Sequence, residues 1–285
     1  MKILKELPGS FASKVFLVEL NKQKYVLKRC KNTSEIASEK EFSKVLSQNN
    51  IPSLSYLEHH DLKANEMLLE YVEDSISLGN RFTTENCEIW GEVTRKMHNI
   101  KYNQCFKLDS NNQRKIVKWS DYIDNKTKEA IFYAKENGNY GFNEAELNQI
   151  IEYILPLQDL KFKKFSLIHG DLHTNNVLIR NKELVLFDKN SEVFTGDPLL
   201  DLAIAIVDMP NGTLIEIDNK DNANDKNCLE SFIKGYKNNF LNDPNLYRYI
   251  MLITFGRLYA PFSKYYKEII LNLLKDPSTS CIKVL

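Results

Sequence analysis

The apolar pattern of this chain changes period twice. Phe16-Leu17-Val18 and Tyr25-Val26-Leu27 are continuous apolar runs separated by Asn21-Lys22-Gln23, which predicts strands over residues 3–30 joined by a tight turn. From residue 34 the period lengthens. Ile36, Phe42, Val45 and Leu46 recur at helical spacing, and Thr33 and Ser34 can cap a helix over 34–46. Pro52 ends that connection, and two further strand-like runs finish at Met67-Leu68-Leu69-Glu70-Tyr71-Val72. Residues 73–80 lose the pattern and are expected to be a linker. The boundary falls near residue 74, between a smaller unit over 1–74 and a larger one over 75–285.

Helical spacing dominates the larger unit, over 85–100, 119–137 and 143–157, and again over 228–240, 246–260 and 262–275. Gly196-Asp197-Pro198 reads as a turn opening a buried helix that runs to about residue 207, with Asp197 as cap and Pro198 at the first position. Two polar stretches interrupt the helices. In 101–118, Lys101, Lys107, Arg114, Lys115 and Lys118 face a single acid, Asp109, as either a solvated loop or a surface for an anionic substrate. In 208–227, Asp208, Glu216, Asp218, Asp221 and Asp225 outnumber Lys220 and Lys226, as either an insertion or a surface for a polycation. The fold class is α+β.

Composition narrows the function classes. Hydrophobic residues make up 43% of the 285, enough for a substantial core. Thirty-eight basic residues balance thirty-eight acidic ones, which gives no footprint for nucleic acid. Five scattered cysteines with no C-x-x-C pair indicate neither a disulfide framework nor a zinc site, so a reducing compartment is expected. Charges at Lys2, Lys5 and Glu6 break any apolar leader, and no run approaches a membrane span, so the expectation is a cytoplasmic protein with no membrane partner.

The chemistry concentrates in one stretch. His169-Gly170-Asp171-Leu172-His173-Thr174-Asn175-Asn176 is followed by two apolar runs that end at Asp188. Asp171 and Asn176 have the D-x-x-x-x-N spacing of a kinase catalytic loop, in which the Asp accepts or orients a hydroxyl and the Asn oxygen binds magnesium. The apolar runs can fold back as a hairpin, bringing Asp188 to the same edge as a third oxygen ligand. Phosphoryl transfer suits such a set, because it asks a protein mainly for positioning and neutralisation of charge.

Other residues can complete a nucleotide site. Lys28 at a strand end is either solvated or a contact to phosphates, and Glu39 or Glu41 on the following helix can reach it. The turn Pro8-Gly9-Ser10-Phe11-Ala12-Ser13 offers Ser10 and Ser13 to a phosphate, or is an ordinary hairpin tip. The backbone of Glu70, Tyr71 and Val72 is where an adenine edge can pair. His169 and His173 form a competing metal pair at the H-x-x-x-H spacing of zinc proteases, but Gly170 replaces the required Glu and weakens the helix needed to align the rings. His169 is expected to pack and bond the loop backbone, and His173 to shape the turn.

These residues carry a family resemblance. The chain resembles the aminoglycoside phosphotransferase and choline kinase family through His169-Gly170-Asp171 to Asn176, Asp188, Gly196-Asp197-Pro198 and Asp201-Leu202-Ala203. Weaker likeness covers the phosphate turn up to Phe16, the Lys28 and Glu39 pair, the hinge at Leu69 to Glu73 and Met97-His98 at a helix end. The resemblance implies a two-lobed protein-kinase-like fold, with a small antiparallel-sheet N-lobe and a larger, mainly helical C-lobe whose helices over 83–157 build the acceptor site. It implies Asp171 as catalytic base, Asn176 and Asp188 as magnesium ligands, Lys28 as the nucleotide-phosphate contact and Asp201 as a support for the catalytic loop. Ser13 replaces a frequent Asn, and Lys189-Asn190 follows Asp188 in place of an aromatic residue or glycine.

The expected function is transfer of a phosphoryl group from ATP or GTP, with Mg2+, to a hydroxyl of a small molecule. Only eight residues separate Asp188 from Asp197 and no Ala-Pro-Glu follows, which disfavours a protein kinase. The acceptor is expected to be aminoglycoside-like or an amino alcohol, with a sugar, nucleoside or other metabolite as the alternative, and the enzyme to be a monomer or homodimer. A catalytically silent nucleotide-binding scaffold is the reading of a different class. It leaves unexplained why Lys28, Glu39, Asp171, Asn176 and Asp188 occur together, since converging carboxylates repel one another without a cation.

Overall fold

The computed structural model describes residues 1–7, 13–209, 223–259 and 263–275, with 223–226 and 263 described by backbone only. Ser10, most of the acidic 208–227 stretch and Cys281 lie outside the described residues.

The first seventy residues form a five-stranded antiparallel sheet. Its strands are β1 (Lys2–Leu7), β2 (Ser13–Leu20), β3 (Gln23–Cys30), β4 (Tyr56–Leu57) and β5 (Glu66–Glu70), in the order β1-β2-β3-β5-β4. Leu20 pairs with Gln23 across a two-residue turn in which Asn21 and Lys22 take φ of 51° and 66°. That left-handed pair matches the twist of the flanking strands and fixes their register.

Helix α1 (Thr33–Gln48) meets the sheet through Ile36 and Glu39, while Phe42, Val45 and Leu46 on the same buried face join the core of the helical part. The expected capping by Thr33 and Ser34 does not occur. Asn32 holds the cap position in an extended conformation, and its amide donates to Glu35 at 3.3 Å in place of bonding a backbone N–H. The helix also runs two residues past the expected end.

The expected linker over 73–80 contains structure. β6 (Ile76–Ser77) and a 3-10 turn (Leu78–Asn80) lie within it, and β6 pairs with a strand about a hundred residues later, a partner no local pattern can reveal. Helix α2 (Thr84–His98) follows, capped by the Thr83 hydroxyl. The basic 101–118 stretch is also ordered, into β7 (Lys101–Tyr102), β8 (Phe106–Leu108) and β9 (Arg114–Ile116). Phe106 and Leu108 are buried on either side of an exposed Lys107, an alternation that the surrounding charge obscures in the sequence. Helices α3 (Trp119–Glu136) and α4 (Glu144–Ile154) come next, the second opened by a reciprocal capping box between Asn143 and Glu146.

β10 (Phe165–Leu167) leads into the loop at Asp171, and β11 (Val177–Arg180) and β12 (Glu183–Leu186) lead out of it as a hairpin. β11 lies between β12 and β6, and β10 between β7 and β13 (Thr195–Gly196). Four α-helices follow among the described residues: α5 (Pro198–Val207), α6 (Ala223–Tyr236), α7 (Pro244–Gly256) and α8 (Ser263–Lys275). α6 begins five residues earlier than its apolar spacing indicates, and α7 ends four residues sooner. α2 and α6 cross at Gly91 and Gly235, where an added Cβ would collide with the carbonyls of Phe232 and Glu88. No helix among the described residues is long and apolar enough to cross a membrane.

Asp197 caps α5 as the sequence predicts, accepting from the Leu199 N–H at 3.1 Å and from the Tyr249 hydroxyl at 2.9 Å. Burial pushes its carboxyl from 3.8 up to about 6. The folded state therefore holds a proton that the unfolded chain has released, so this group's contribution to stability falls as pH rises from about 4 to about 6. Asp197→Asn keeps a capping oxygen and removes the titration. Urea unfolding at pH 4 and pH 6.5 should show less loss of stability across the interval in the variant than in the parent, and an equal loss in both would refute this account.

Candidate active site

Both ends of the hairpin are fixed by its register. Val177 pairs with Leu186, and the next backbone contact, Phe187 N–H to the Asn176 carbonyl at 3.2 Å, places Asn176 beside the segment carrying Asp188. The loop before it hangs on one carboxylate. Asp201, fully buried at the start of α5, accepts from the His169 N–H at 2.6 Å and the Gly170 N–H at 2.7 Å, and lies 3.1 Å from His98 Nε2. Burial alone would raise its pKa, but the His98 hydrogen bond and charge, with those backbone donors, hold it below the usual carboxylate range. Gly170 takes φ of +76°, a conformation that suits glycine.

Both histidines do what the sequence suggests. His169 is buried, its Nδ1 accepts from the Asp171 N–H at 3.3 Å, and its Nε2 lies 2.8 Å from the Phe187 carbonyl. His173 Nδ1 accepts from the Asn175 N–H at 3.2 Å, and its Nε2 lies 3.5 Å from Asp171 Oδ2. Neither histidine lies on a helix, which removes the zinc-pair reading. Burial would raise the Asp171 pKa, but the His173 hydrogen bond and the Arg257 charge hold it down, so it is a carboxylate at neutral pH. Asn176 Nδ2 donates to the Asp171 carbonyl at 2.9 Å and to Asp171 Oδ2 at 3.3 Å, which leaves the amide oxygen for another ligand.

Lys28 crosses from the sheet to this loop. Its buried ammonium bonds Glu39 on α1 and reaches Asp188 Oδ1 at 2.5 Å. Burial would lower its pKa, but the two carboxylates override this and hold it protonated. Of the two glutamates offered by the sequence, Glu39 makes the contact, while Glu41 lies near Lys44 and Asn112.

A cavity of about 450 Å3 lies between the sheet and the loop. Ser13, Lys28, Glu39, Glu70, Tyr71, Val72, Asp171, Asn176 and Asp188 all line it, so every candidate site residue within the described part faces one space. The Glu70 carboxylate is taken by Arg180 at 2.9 Å and the Ser55 N–H at 3.1 Å, while the Glu70 N–H donates to the Ser55 carbonyl at 2.9 Å and the Val72 carbonyl accepts from the Ser75 N–H at 3.4 Å.

The family model described as the phosphotransferase enzyme family matches residues 3–238. The chain belongs to that family. No curated protein matches its sequence. Among solved structures it is similar to the aminoglycoside phosphotransferase APH(4)-Ia, at 14% identity over 96% of this chain and 93% of that one with a TM-score of 0.71. It is also similar to the amicoumacin kinase hAmiN, at 16% identity, 93% and 87% coverage and a TM-score of 0.64. A putative fructosamine-3-kinase from Haemophilus somnus gives 17%, 96% and 90%, and 0.63. At these identities the likeness establishes the protein-kinase-like fold.

Sequence reasoning missed a second cavity of this phosphotransferase. It measures about 170 Å3, lies between α3 and α7, and includes Asp171 and Arg257 in its lining. Arg257, just past α7, has Nη2 3.4 Å from Asp171 Oδ1, and its Nη1 bonds Asp208. Asp208 could be flagged from its acidic surroundings, but nothing near Arg257 in the sequence marks it. The basic residues of 101–118 do not line either cavity: Lys101 donates to Ser166, Arg114 stacks on Phe106 and Lys115 pairs with Asp109. Lys189 turns away from the first cavity, donating to the Val193 and Asn190 carbonyls.

Removing the Asp201 carboxylate leaves two buried backbone N–H groups and His98 without their acceptor. Asp201→Ala is expected to cost about 3–5 kcal/mol of stability, the range for stripping one partner from a buried charged network. Denaturant unfolding measures it, and a loss within about 0.5 kcal/mol, the range of ordinary surface substitutions, would show that the loop does not depend on this clamp.

Proposed function

We propose that this phosphotransferase transfers the γ-phosphate of ATP to a hydroxyl group of a small acceptor. The observation that carries the reading is that Asp171 lines both cavities, the larger beside Lys28 and the smaller beside Arg257. A nucleotide on one side and an acceptor on the other then meet at a single carboxylate. Solved structures support both halves: a thermostable mutant of APH(4)-Ia has been captured with AMP-PNP and hygromycin B, and hAmiN with AMP-PNP, Ca2+ and Ami.

The donor set fits a hard divalent cation. Asp188 and the Asn176 amide oxygen are oxygen ligands on the nucleotide side, and Asp188 is one-third exposed there with Oδ1 on Lys28 and its other oxygen left over. These two residues would hold Mg2+, which neutralises phosphate charge when bound. Lys28, kept protonated and oriented by Glu39, contacts the nucleotide phosphates, and the backbone of Glu70 to Val72 takes the base edge. Asp171 receives the proton of the acceptor hydroxyl as its oxygen bonds to the γ-phosphorus and the bond to the β-phosphate oxygen breaks, releasing ADP. A division near residue 74 lets the sheet close on the nucleotide, and a cytoplasmic location supplies ATP and Mg2+.

Two variants separate binding from chemistry. Asp188→Asn should abolish Mg2+-dependent nucleotide binding in titration calorimetry. Asp171→Asn should keep nucleotide binding and lower turnover by about 10²–10⁴, the usual contribution of a positioned base. Coupled ADP release against a panel of hydroxyl compounds reads the second. Parent-like turnover in Asp171→Asn would remove its role, and nucleotide binding with no acceptor turned over by the parent would favour the silent scaffold.

A further inference from the structure

A separate group of ligand-bearing side chains stands outside both cavities, in the turn between β4 and β5. One ring nitrogen from each of His59 and His60 and a carboxylate oxygen of Asp61 lie within 4.8 Å of one another, the one such group of three among the described residues. His59 Nδ1 is 3.7 Å from Asp61 Oδ2, and His60 Nε2 is 3.3 Å from Asp61 Oδ1. The two imidazoles stack with centroids 4.4 Å apart and planes 27° from parallel.

The backbone holds this turn in shape. The Leu62 N–H donates to the His59 carbonyl at 3.2 Å, and the Asp61 N–H donates to His59 Nδ1 at 3.2 Å. Farther on, the Asn65 carbonyl accepts from the Cys30 N–H at 2.9 Å, and the Asn65 amide donates to the Cys30 carbonyl at 3.2 Å, which ties the end of the turn to β3. The His59 side chain is only 17% exposed and serves as the fixed point, whereas His60 and Asp61, at 85% and 55%, can adjust towards it. Among the described residues Asp61 pairs with neither Lys nor Arg, and Lys40, whose ammonium reaches this turn, is taken by Glu58 at 2.6 Å. Two imidazoles and a carboxylate thus converge with no resident ammonium or guanidinium between them.

A tetrahedral ion with bonds of about 2.0–2.2 Å sets its ligand atoms roughly 3.3–3.6 Å apart. Two of the three spacings here, 3.3 and 3.7 Å, already lie at that value. We infer that His59, His60 and Asp61 form a site for a divalent transition ion of the zinc class, with water completing the coordination. Binding through His59 Nδ1 takes the place of the Asp61 N–H contact, and rotation of the exposed His60 ring closes the remaining distance. The ligand set separates this site from the one proposed for Mg2+, because imidazole nitrogen suits zinc, nickel and copper while magnesium takes oxygen. An ion here closes the turn that leads into β5, so its effect is to brace the sheet, and the site stands whether or not the kinase reading does.

Zinc titration of the full-length protein in excess Mg2+ tests it. Calorimetry should show one equivalent bound with a Kd of about 1–100 µM, weaker than closed four-ligand sites. His59→Ala, His60→Ala and Asp61→Asn should each weaken binding at least about tenfold, since loss of a mere outer partner of a metal ligand costs about 10–100-fold. In NMR spectra zinc should shift the ring signals of His59 and His60, identified by the two substitutions, and leave those of the buried His98 and His169 in place. No saturable binding below about 1 mM, or an affinity unchanged by any one of the three substitutions, would overturn the proposal. Shifts at His173 with none at His59 and His60 would put the ion in the cleft and overturn it equally. If His59→Ala fails to fold, the parent spectra and the variants at the exposed His60 and Asp61 decide it.

Discussion

A buried ammonium must be met by charge, and in this protein that requirement joins the two halves of the molecule. Lys28 sits on β3 with almost no solvent access, between Glu39 on α1 and Asp188 beyond β12. Desolvation works against the cation, and each carboxylate in turn is poorly placed without it. The triad is therefore stable only when sheet, helix and hairpin end are brought together. In doing so it positions a cation and the proposed metal ligand Asp188 on one face of the larger cavity, so the contact that joins the halves also shapes the proposed nucleotide site.

A second buried charge organises the loop opposite. Asp201 gathers two consecutive backbone N–H groups of the loop and the ring of His98, whose other nitrogen lies 3.0 Å from the Tyr236 hydroxyl. α2, α5, α6 and the loop thus converge on one carboxylate within the helical core. The consequence for chemistry is rigidity where it is needed. With His169 and Gly170 fixed, Asp171 follows on a short tether, and His173, Asn176 and Arg257 hold its two oxygens from different sides. A carboxylate held this way has one orientation to offer, and in the role proposed for Asp171 such positioning lowers a barrier in phosphoryl transfer.

Much of this was legible in the sequence, for identifiable reasons. Helices α2 to α5 and the β2 and β3 turn follow from local period and turn chemistry, which need no knowledge of tertiary partners. Asp171, Asn176 and Asp188 were legible because their spacing along the chain sets their spacing in the hairpin. The pairing of Lys28 with Glu39, in preference to Glu41, is a matter of helical phase: Glu39 falls on the buried face that carries Phe42 and Leu46, and Glu41 does not. What stayed hidden depends on distant contacts. β6 is two residues long and pairs across a hundred residues, β8 is masked by charge, and Arg257 reaches Asp171 over eighty-six positions. No periodicity marks such a residue, and only the packing of α7 against α3 and α5 brings it to the site.

The local backbone at Asp188 shows how this cleft obtains its mixed character. Phe187 and Asp188 are consecutive, yet both line the larger cavity, whereas residues of a regular strand alternate between faces. The break lies at Asp188, where φ is +58°, a left-handed conformation that Asp tolerates better than most side chains. The turn sends the next residue, Lys189, back into the core, where its ammonium is held by carbonyls and lies over the rings of Phe42 and Phe194. Burial pulls its pKa down to about 7, yet no cationic side chain from this position competes with Lys28 for Asp188. A strained residue thus places an aromatic wall and a carboxylate side by side, and the departure from the family pattern at Lys189 is absorbed by the core while Asp188 stays in the cleft. Strain of this kind survives where the surrounding structure over-determines it. Here the β11 and β12 register on one side and the Lys189 carbonyl cage on the other supply that constraint.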